Sequence, residues 1–116
     1  MELKSRQDDG ILVLELEGRL DAHQAPAVSQ WLTDNISPSA ALLVINLQKV
    51  NFIDSIALAV LVKAIKRCKE NNGELHLCNV TKPVKIILEL TLLNKVFNIF
   101  DDESSAVNAF KKVGSK

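Results

Sequence analysis

The chain has 116 residues, the usual length of one domain, and 47% of them are hydrophobic while only 4% are aromatic. This composition predicts one compact domain, residues 1–116, with a core of aliphatic side chains, and it excludes a disordered chain. Fourteen basic residues balance fourteen acidic ones, which argues against binding to nucleic acid or an anionic membrane and favours a protein partner.

The sequence contains no segment typical of a leader or a membrane span. The first ten residues are largely polar and charged, unlike a secretory signal. The longest apolar run, residues 56–62, has seven residues, whereas roughly 20 are needed to cross a bilayer. We therefore expect no direct membrane insertion and a cytoplasmic location.

In the first half of the chain, the sequence pattern predicts two strands, then a helix, then another strand. Residues 2–7 suit an edge strand, and residues 11–17 alternate as in a strand with one buried face, which Gly18 would end. A helix is expected over residues 26–36, with its proline in the first turn. Residues 41–47 are apolar at nearly every position, which predicts a central strand covered on both faces.

The second half continues the same alternation. The longest helix is predicted over residues 55–71, followed by a strand over residues 74–80. Another helix starts within residues 81–83, and a last one runs over residues 103–112 with acidic residues at its start and lysines at its end. Strands that alternate with helices indicate an α/β fold.

The polar face of the longest predicted helix becomes apolar near the start of the helix. In its second half this face is formed by Lys63, Lys66, Arg67 and Glu70. Continued towards the start of the helix, the same face carries apolar residues: Ile56, Ala59 and Val60. These three residues, called the apolar patch below, are either an exposed contact site beside Ser55 or covered by another part of the domain.

Ser55 lies at the predicted start of this helix. The first N–H groups of a helix lack partners and the dipole is positive there, so the position suits a side-chain oxygen or a phosphate. Ser55 is therefore either a helix cap or a phosphorylation switch. Asp54, directly before it, is either the N-cap or a functional residue. Asp21 starts the turn after Leu20, caps the first helix or has a functional role.

Residue types that enzymes use are present but scattered. The four glycines are too far apart for a phosphate-binding loop, and His23 and His76 have no metal-ligand spacing with Cys68 or Cys78. We expect both cysteines to be reduced core thiols and predict neither a metal nor a cofactor. A catalytic triad built on Ser55 would lack the glycines of a nucleophile elbow, which leaves a small serine hydrolase as a remote alternative.

Three segments of the chain together carry a family resemblance. Residues 16–21, Leu-Glu-Gly-Arg-Leu-Asp, resemble a strand-end motif, and residues 50–55, Val-Asn-Phe-Ile-Asp-Ser, resemble a phosphorylation loop. The stretch from residue 80 through residues 93–97 and 100–101 is similar to the C-terminal half of the same family. In this order the motifs resemble the STAS domain of a stand-alone bacterial anti-sigma factor antagonist, over nearly the whole chain.

The resemblance implies a fold and a non-enzymatic mechanism. The fold would be one STAS-like domain with a mixed central sheet of four to five strands and about four helices. Ser55 matches the phosphorylated position of the family, and Asp21 and Asp54 match acidic residues that border the partner surface. In its unphosphorylated form the family binds an anti-sigma factor, often also its serine kinase, and so frees a sigma factor; a serine phosphatase restores binding.

The chain departs from the family pattern at three places. Ile56 and Ala57 stand where Ser or Thr and then Gly are common, and Ala59 stands where a second glycine is frequent. Leu92 replaces another glycine. Larger residues at these positions restrict the backbone conformations open to the loop, which we expect to alter kinase access or partner choice. The alternative function that keeps the fold is a STAS scaffold subunit of a stress-signalling or lipid-transport complex, bound constitutively through the same surface.

Overall fold

The computed structural model describes residues 2–114, with side chains as far as residue 111. Within this range the chain forms five strands, four α-helices and one short 3₁₀ helix. In chain order they are β1 (Glu2–Asp8), β2 (Ile11–Leu20), α1 (Ala25–Asn35), β3 (Leu42–Ile53), α2 (Ser55–Glu70), β4 (Glu74–Cys78), α3 (Lys82–Leu90), the 3₁₀ helix (Leu93–Lys95), β5 (Asn98–Phe100) and α4 (Glu103–Gly114).

The five strands form one mixed sheet in the order β1-β2-β3-β4-β5. β1 runs antiparallel to β2, and the other neighbouring pairs are parallel. The predicted α/β class, with a mixed sheet and about four helices, is confirmed. The 3₁₀ helix and β5 were not predicted, because three-residue elements are too short to show a period.

Strand β2 is longer than the sequence pattern indicated. Gly18 was expected to end it, but the strand continues to Leu20, and the pairing with β3 shifts register between Glu17 and Arg19. Gly18 has φ +119°, a conformation that side chains disfavour, so it permits the irregularity without ending the strand. The extension carries Arg19 and Leu20 to the same edge of the sheet as the end of β3.

The two faces of the sheet are covered by different helices. Buried leucines of β2 on one face share a core with α1, α2 and α3. On the other face Ile11, Val13 and Val44 pack against Val107 and Phe110 of α4. The single buried face predicted for residues 11–17 is therefore wrong, because α4 also covers the second face.

His76 and the two cysteines are buried in the cores. The Nδ1 atom of His76 is 2.9 Å from the carbonyl oxygen of Ala106, and its ring stacks on Phe110 at 3.8 Å between centroids. Cys68 and Cys78 are buried free thiols, as predicted. Burial raises the pKa of the Cys68 thiol to about 11 and that of Cys78 to about 12. Both thiols therefore stay protonated and unreactive at neutral pH in the folded protein.

Two further features concern membranes and metals. No helix in the part of the chain described is long and apolar enough to span a membrane. Across residues 2–114, histidine, cysteine, aspartate and glutamate side chains form no group of three or more that could hold a metal ion.

Leu92 has a left-handed backbone. Its φ is +60° and its ψ is 13°, a conformation that costs a non-glycine residue roughly 1–2 kcal/mol. The side chain is 63% exposed, so packing offsets little of this strain. A leucine at this position therefore destabilises the fold.

Leu92→Gly should stabilise the protein by about 0.5–1 kcal/mol, because relief of the strain exceeds the entropy that glycine adds to the unfolded chain. Thermal unfolding should show a rise in Tm of about 2–5 °C. Leu90→Gly is the matched control, since Leu90 is 76% exposed in α3 and should lose about 1 kcal/mol. A fall in Tm for both variants would contradict the strain at Leu92.

Candidate protein-binding site

The candidate site lies at the edge of the sheet where β2 and β3 end. The parallel pairing brings Leu20 opposite Ile53, and the Asp54 backbone N–H donates to the Leu20 carbonyl at 3.2 Å. α2 begins one residue later, at Ser55. The segment after β2 and the start of α2 are therefore neighbours, as expected at the carboxyl ends of adjacent parallel strands.

Asp54 is the N-cap of α2 and also a bridge to the segment after β2. One carboxylate oxygen accepts a hydrogen bond from the Ala57 N–H at 2.9 Å, and the other accepts from the Ala22 N–H at 2.7 Å. The Ala57 bond is the largest cause that lowers the pKa of the carboxyl, and the Ala22 bond and the charge of Arg19 act in the same direction. The bond from Ala57 makes Asp54 the N-cap of α2, whereas the bond from Ala22 joins the start of this helix to the segment after β2.

Asp54→Ala should lower Tm by several degrees at neutral pH, because α2 loses its cap and the Ala22 N–H loses its partner. Asp54→Asn should lower it less, since the amide keeps one capping oxygen. The pKa of Asp54 is lower in the folded protein than its value near 3.8 in the unfolded chain. The negative charge therefore stabilises the fold above pH 3.8, and this stabilisation is lost as the pH falls through the pKa of the folded protein.

Between neutral pH and acid solution, the Tm difference between wild type and Asp54→Asn should therefore shrink as the pH falls below 3.8 and through the lowered pKa of the folded protein. Asp101→Ala, at an exposed position before α4, is the control and should change Tm little at either pH. A difference that persists unchanged in acid would show that the Asp54 charge contributes nothing.

Asp21 organises the turn between β2 and α1. Its side chain accepts hydrogen bonds from the N–H groups of His23 and Gln24, each at 3.1 Å, and its carbonyl accepts from Gln24 and Ala25. The other carboxylate oxygen lies 3.6 Å from Nε of Arg19. The expectation that Asp21 starts the turn is confirmed, whereas the alternative that it caps α1 is wrong, because the N-cap residue is Gln24. The half-buried carboxylate of Asp21 lies at the same edge of the sheet as Asp54.

Ser55 is the first residue of α2 and is exposed. Because Asp54 occupies the cap position, the expectation that Ser55 is itself the cap is wrong. Within residues 2–111, no side chain or backbone group forms a hydrogen bond with the Ser55 hydroxyl. The hydroxyl is therefore open to solvent at the positive end of a 16-residue helix.

The apolar patch is exposed at two of its three residues. Ile56 is 54% exposed and Ala59 is exposed, whereas Val60 is half-buried against the core. Val60 turns towards α1, where it lines a cleft with Leu32 and Thr33. The predicted exposure is confirmed for Ile56 and Ala59, and the alternative of internal burial applies in part to Val60.

An apolar groove that the sequence did not predict continues from the patch. It is lined by Ser55, Leu58, Ala59, Val62, Lys63, Thr91 and Leu93. Its second wall comes from Thr91, which follows α3, and Leu93, the first residue of the 3₁₀ helix, about 35 residues further along the chain. The run Leu90-Thr91-Leu92-Leu93, apolar at three of four positions, was the available signal. The groove extends the exposed apolar surface around Ser55 beyond the three residues of the patch.

A catalytic triad of Ser55, Asp54 and His76 has no support in this geometry. His76 lies under α4 on the opposite face of the sheet from α2. Both carboxylate oxygens of Asp54 accept bonds from backbone N–H groups rather than from a histidine. The groove beside Ser55 is apolar and open, which suits protein contact better than bond cleavage.

The fold and the site define a class: an α/β domain with a mixed sheet, whose exposed serine at a helix N-terminus adjoins an apolar surface. The sequence model of the STAS domain matches residues 2–106. The chain belongs to the STAS domain family.

Known proteins resemble the chain over most of its length. An anti-sigma F factor antagonist from Paenibacillus polymyxa is 27% identical over 114 residues, which are 97% of each chain. A crystal structure of an anti-sigma factor antagonist from Mycobacterium paratuberculosis has a TM-score of 0.83 and 25% identity, and covers 93% of this chain and 92% of its own. The Bacillus cell fate determinant SpoIIAA in its phosphorylated form has the same fold, with a TM-score of 0.72, 16% identity and coverage of 94% and 99%.

Proposed function

We propose that this STAS protein is an anti-sigma factor antagonist controlled by phosphorylation of Ser55. In the unphosphorylated state it binds an anti-sigma factor that is also its serine kinase, and so frees a sigma factor. Phosphorylation ends the binding, and a serine phosphatase restores it. The protein acts in the cytoplasm as one domain, residues 1–116, and as a binding protein rather than an enzyme. The names of its relatives support this role.

The observation that carries the proposal is the exposed hydroxyl of Ser55, which forms no hydrogen bond within residues 2–111 and lies beside exposed apolar side chains. Asp54 already caps α2, so a kinase that transfers a phosphoryl group to Ser55 breaks no hydrogen bond of the fold. The helix dipole favours the added negative charge. Modification therefore leaves the domain folded.

A phosphate on Ser55 changes what the surface can bind. It adds about −1.5 to −2 charges at pH 7, next to Ile56 and Ala59 and one residue from the Asp54 carboxylate. A partner with an apolar face would have to remove water from this charge and would meet like-charge repulsion from its own acidic groups. Because about 1.4 kcal/mol changes affinity tenfold, this local effect is enough for a switch.

The proposed contact surface combines the sequence-predicted residues with the groove. Ile56 and Ala59 supply apolar contact, and Val60 adds a smaller exposed area beside them. Asp21 and Asp54 border this surface at the ends of β2 and β3, where they hold the backbone in place and present negative charge. A partner that matches both features would carry an apolar element flanked by basic groups.

The experiment follows the protein in its own host during growth and under stress. Phosphopeptide mapping measures the phosphorylated fraction of Ser55, and pull-down under each condition identifies the bound partner. The proposal expects phosphate on Ser55 to vary with the condition and to coincide with loss of a kinase-like partner. An unmodified Ser55 and a constant partner under every condition would contradict it and favour the constitutive scaffold subunit.

A further inference from the structure

Arg19 is held loosely at the edge of the candidate site. Its side chain is 67% exposed, its Nε lies 3.6 Å from the Asp21 carboxylate, and its guanidinium carbon lies 3.8 Å from the ring centroid of Phe52. An exposed ion pair at this distance and an exposed cation–π contact each contribute little stability. The guanidinium can therefore leave both partners at small cost.

The strand pairing places Arg19 beside the segment that leads into Ser55. Arg19 is the register partner of Phe52, and the next residue, Leu20, accepts a hydrogen bond from the Asp54 N–H. The positive charge of Arg19 also contributes to the lowered pKa of Asp54. The Arg19 charge therefore acts on Asp54, the residue directly before α2.

Charged groups of both signs lie around Ser55. Asp21 and Asp54 provide two negative charges, Arg19 provides one positive charge at the same edge of the sheet, and Lys63 lines the groove with Ser55. His23, in the turn after β2, is exposed to solvent and gives its backbone N–H to Asp21. A phosphate would add up to two more negative charges. Arginine pairs with phosphate through parallel hydrogen bonds that are stronger than its pair with a distant carboxylate.

We propose that Arg19 is the counter-charge of phosphorylated Ser55. The guanidinium leaves Asp21 and the Phe52 ring and donates hydrogen bonds to the phosphate oxygens. This inference rests on the proposed function, because it concerns regulation of the same serine. It adds a second consequence of phosphorylation: Phe52, already 37% exposed, loses the side chain that covers it, and Asp21 loses its cation. The surface offered to a partner then changes on both sides of the serine.

The test uses the full chain with phosphoserine incorporated genetically at position 55, so neither kinase nor partner is needed. A ³¹P NMR titration measures the second pKa of the phosphate in wild type, Arg19→Ala and Arg19→Lys. Lys49→Ala is the matched control, since Lys49 is an exposed cation on β3 paired with Glu17 at 3.9 Å. A ¹⁵N spectrum follows the Arg19 Nε–H signal with and without the phosphate.

The second pKa should be lowest in wild type and about 0.5 higher in Arg19→Ala, because the dianion loses its cation. Arg19→Lys should lie between them and Lys49→Ala should match wild type, while the Arg19 signal should shift on phosphorylation. Equal pKa values in wild type and Arg19→Ala, with an unmoved Arg19 signal, would overturn the inference. That result would leave the proposed function untouched, since its own test is partner binding in the host.

Discussion

Ile56→Lys should weaken binding of the anti-sigma factor at least about thirty-fold and leave the fold intact. Ile56 is the largest exposed side chain of the apolar patch, 54% exposed, and lies next to Ser55 in the first turn of α2. A buried apolar anchor at the centre of an interface typically contributes 2 kcal/mol or more. A lysine there would lose this contact and would carry a charge into an interface that excludes water.

Calorimetric titration with the captured anti-sigma factor measures the affinity, and thermal unfolding of the same preparations measures the fold. Ile86→Lys is the matched control, because Ile86 is 45% exposed on α3 and lines a different cleft. It should bind as wild type does. Unfolding of Ile56→Lys would place Ile56 in the core, and normal binding by a folded Ile56→Lys would show that the partner docks elsewhere.

Ser55→Asp should reduce affinity for the same partner at least about tenfold, whereas Ser55→Ala should bind constitutively, even with kinase and ATP present. The aspartate places one negative charge against the apolar patch, and the alanine removes the hydroxyl that receives the phosphate. Both variants should keep a Tm close to that of wild type. An acidic residue in the first turn interacts favourably with the helix dipole, which offsets repulsion from Asp54.

Ser104→Asp is the matched control for this pair. Ser104 is exposed in the first turn of α4, so the substitution adds the same charge at an equivalent helical position away from the groove. It should leave affinity unchanged. Equal affinities of Ser55→Asp and Ser55→Ala would contradict the switch, while loss of binding in Ser104→Asp would indicate an effect of net charge rather than of position.

Local patterns were enough to predict the elements that carry the site. The helical period that follows Asp54 predicted where α2 begins, whereas the strand predicted over residues 41–47 stopped six residues short of the end of β3 at Ile53. The same period predicted that Ile56 and Ala59 face outward. Val60 was harder to assign, since its exposure depends on how closely α1 packs against α2.

The structure corrected expectations wherever a distant segment decided the outcome. The second buried face of β2 depends on α4, which lies about 90 residues later in the chain. Asp54 was ambiguous because a residue before a helix can be a cap or a functional group, and only its contact with Ala22 shows that it does more than cap. Leu92 gave no local sign of its left-handed backbone, since leucine rarely adopts one.

The sequence by itself determined the order of the four α-helices and the first four strands, the α/β class, and the serine with its apolar neighbours at the start of the long helix. These features depend on residues that are close together in the chain. Only the tertiary structure decided that Thr91 and Leu93 complete a groove with Ser55, that Asp54 bridges to Ala22, and that Arg19 lies between Asp21 and Phe52. Each of these contacts joins segments whose approach is set by strand pairing and helix packing, which no local period contains.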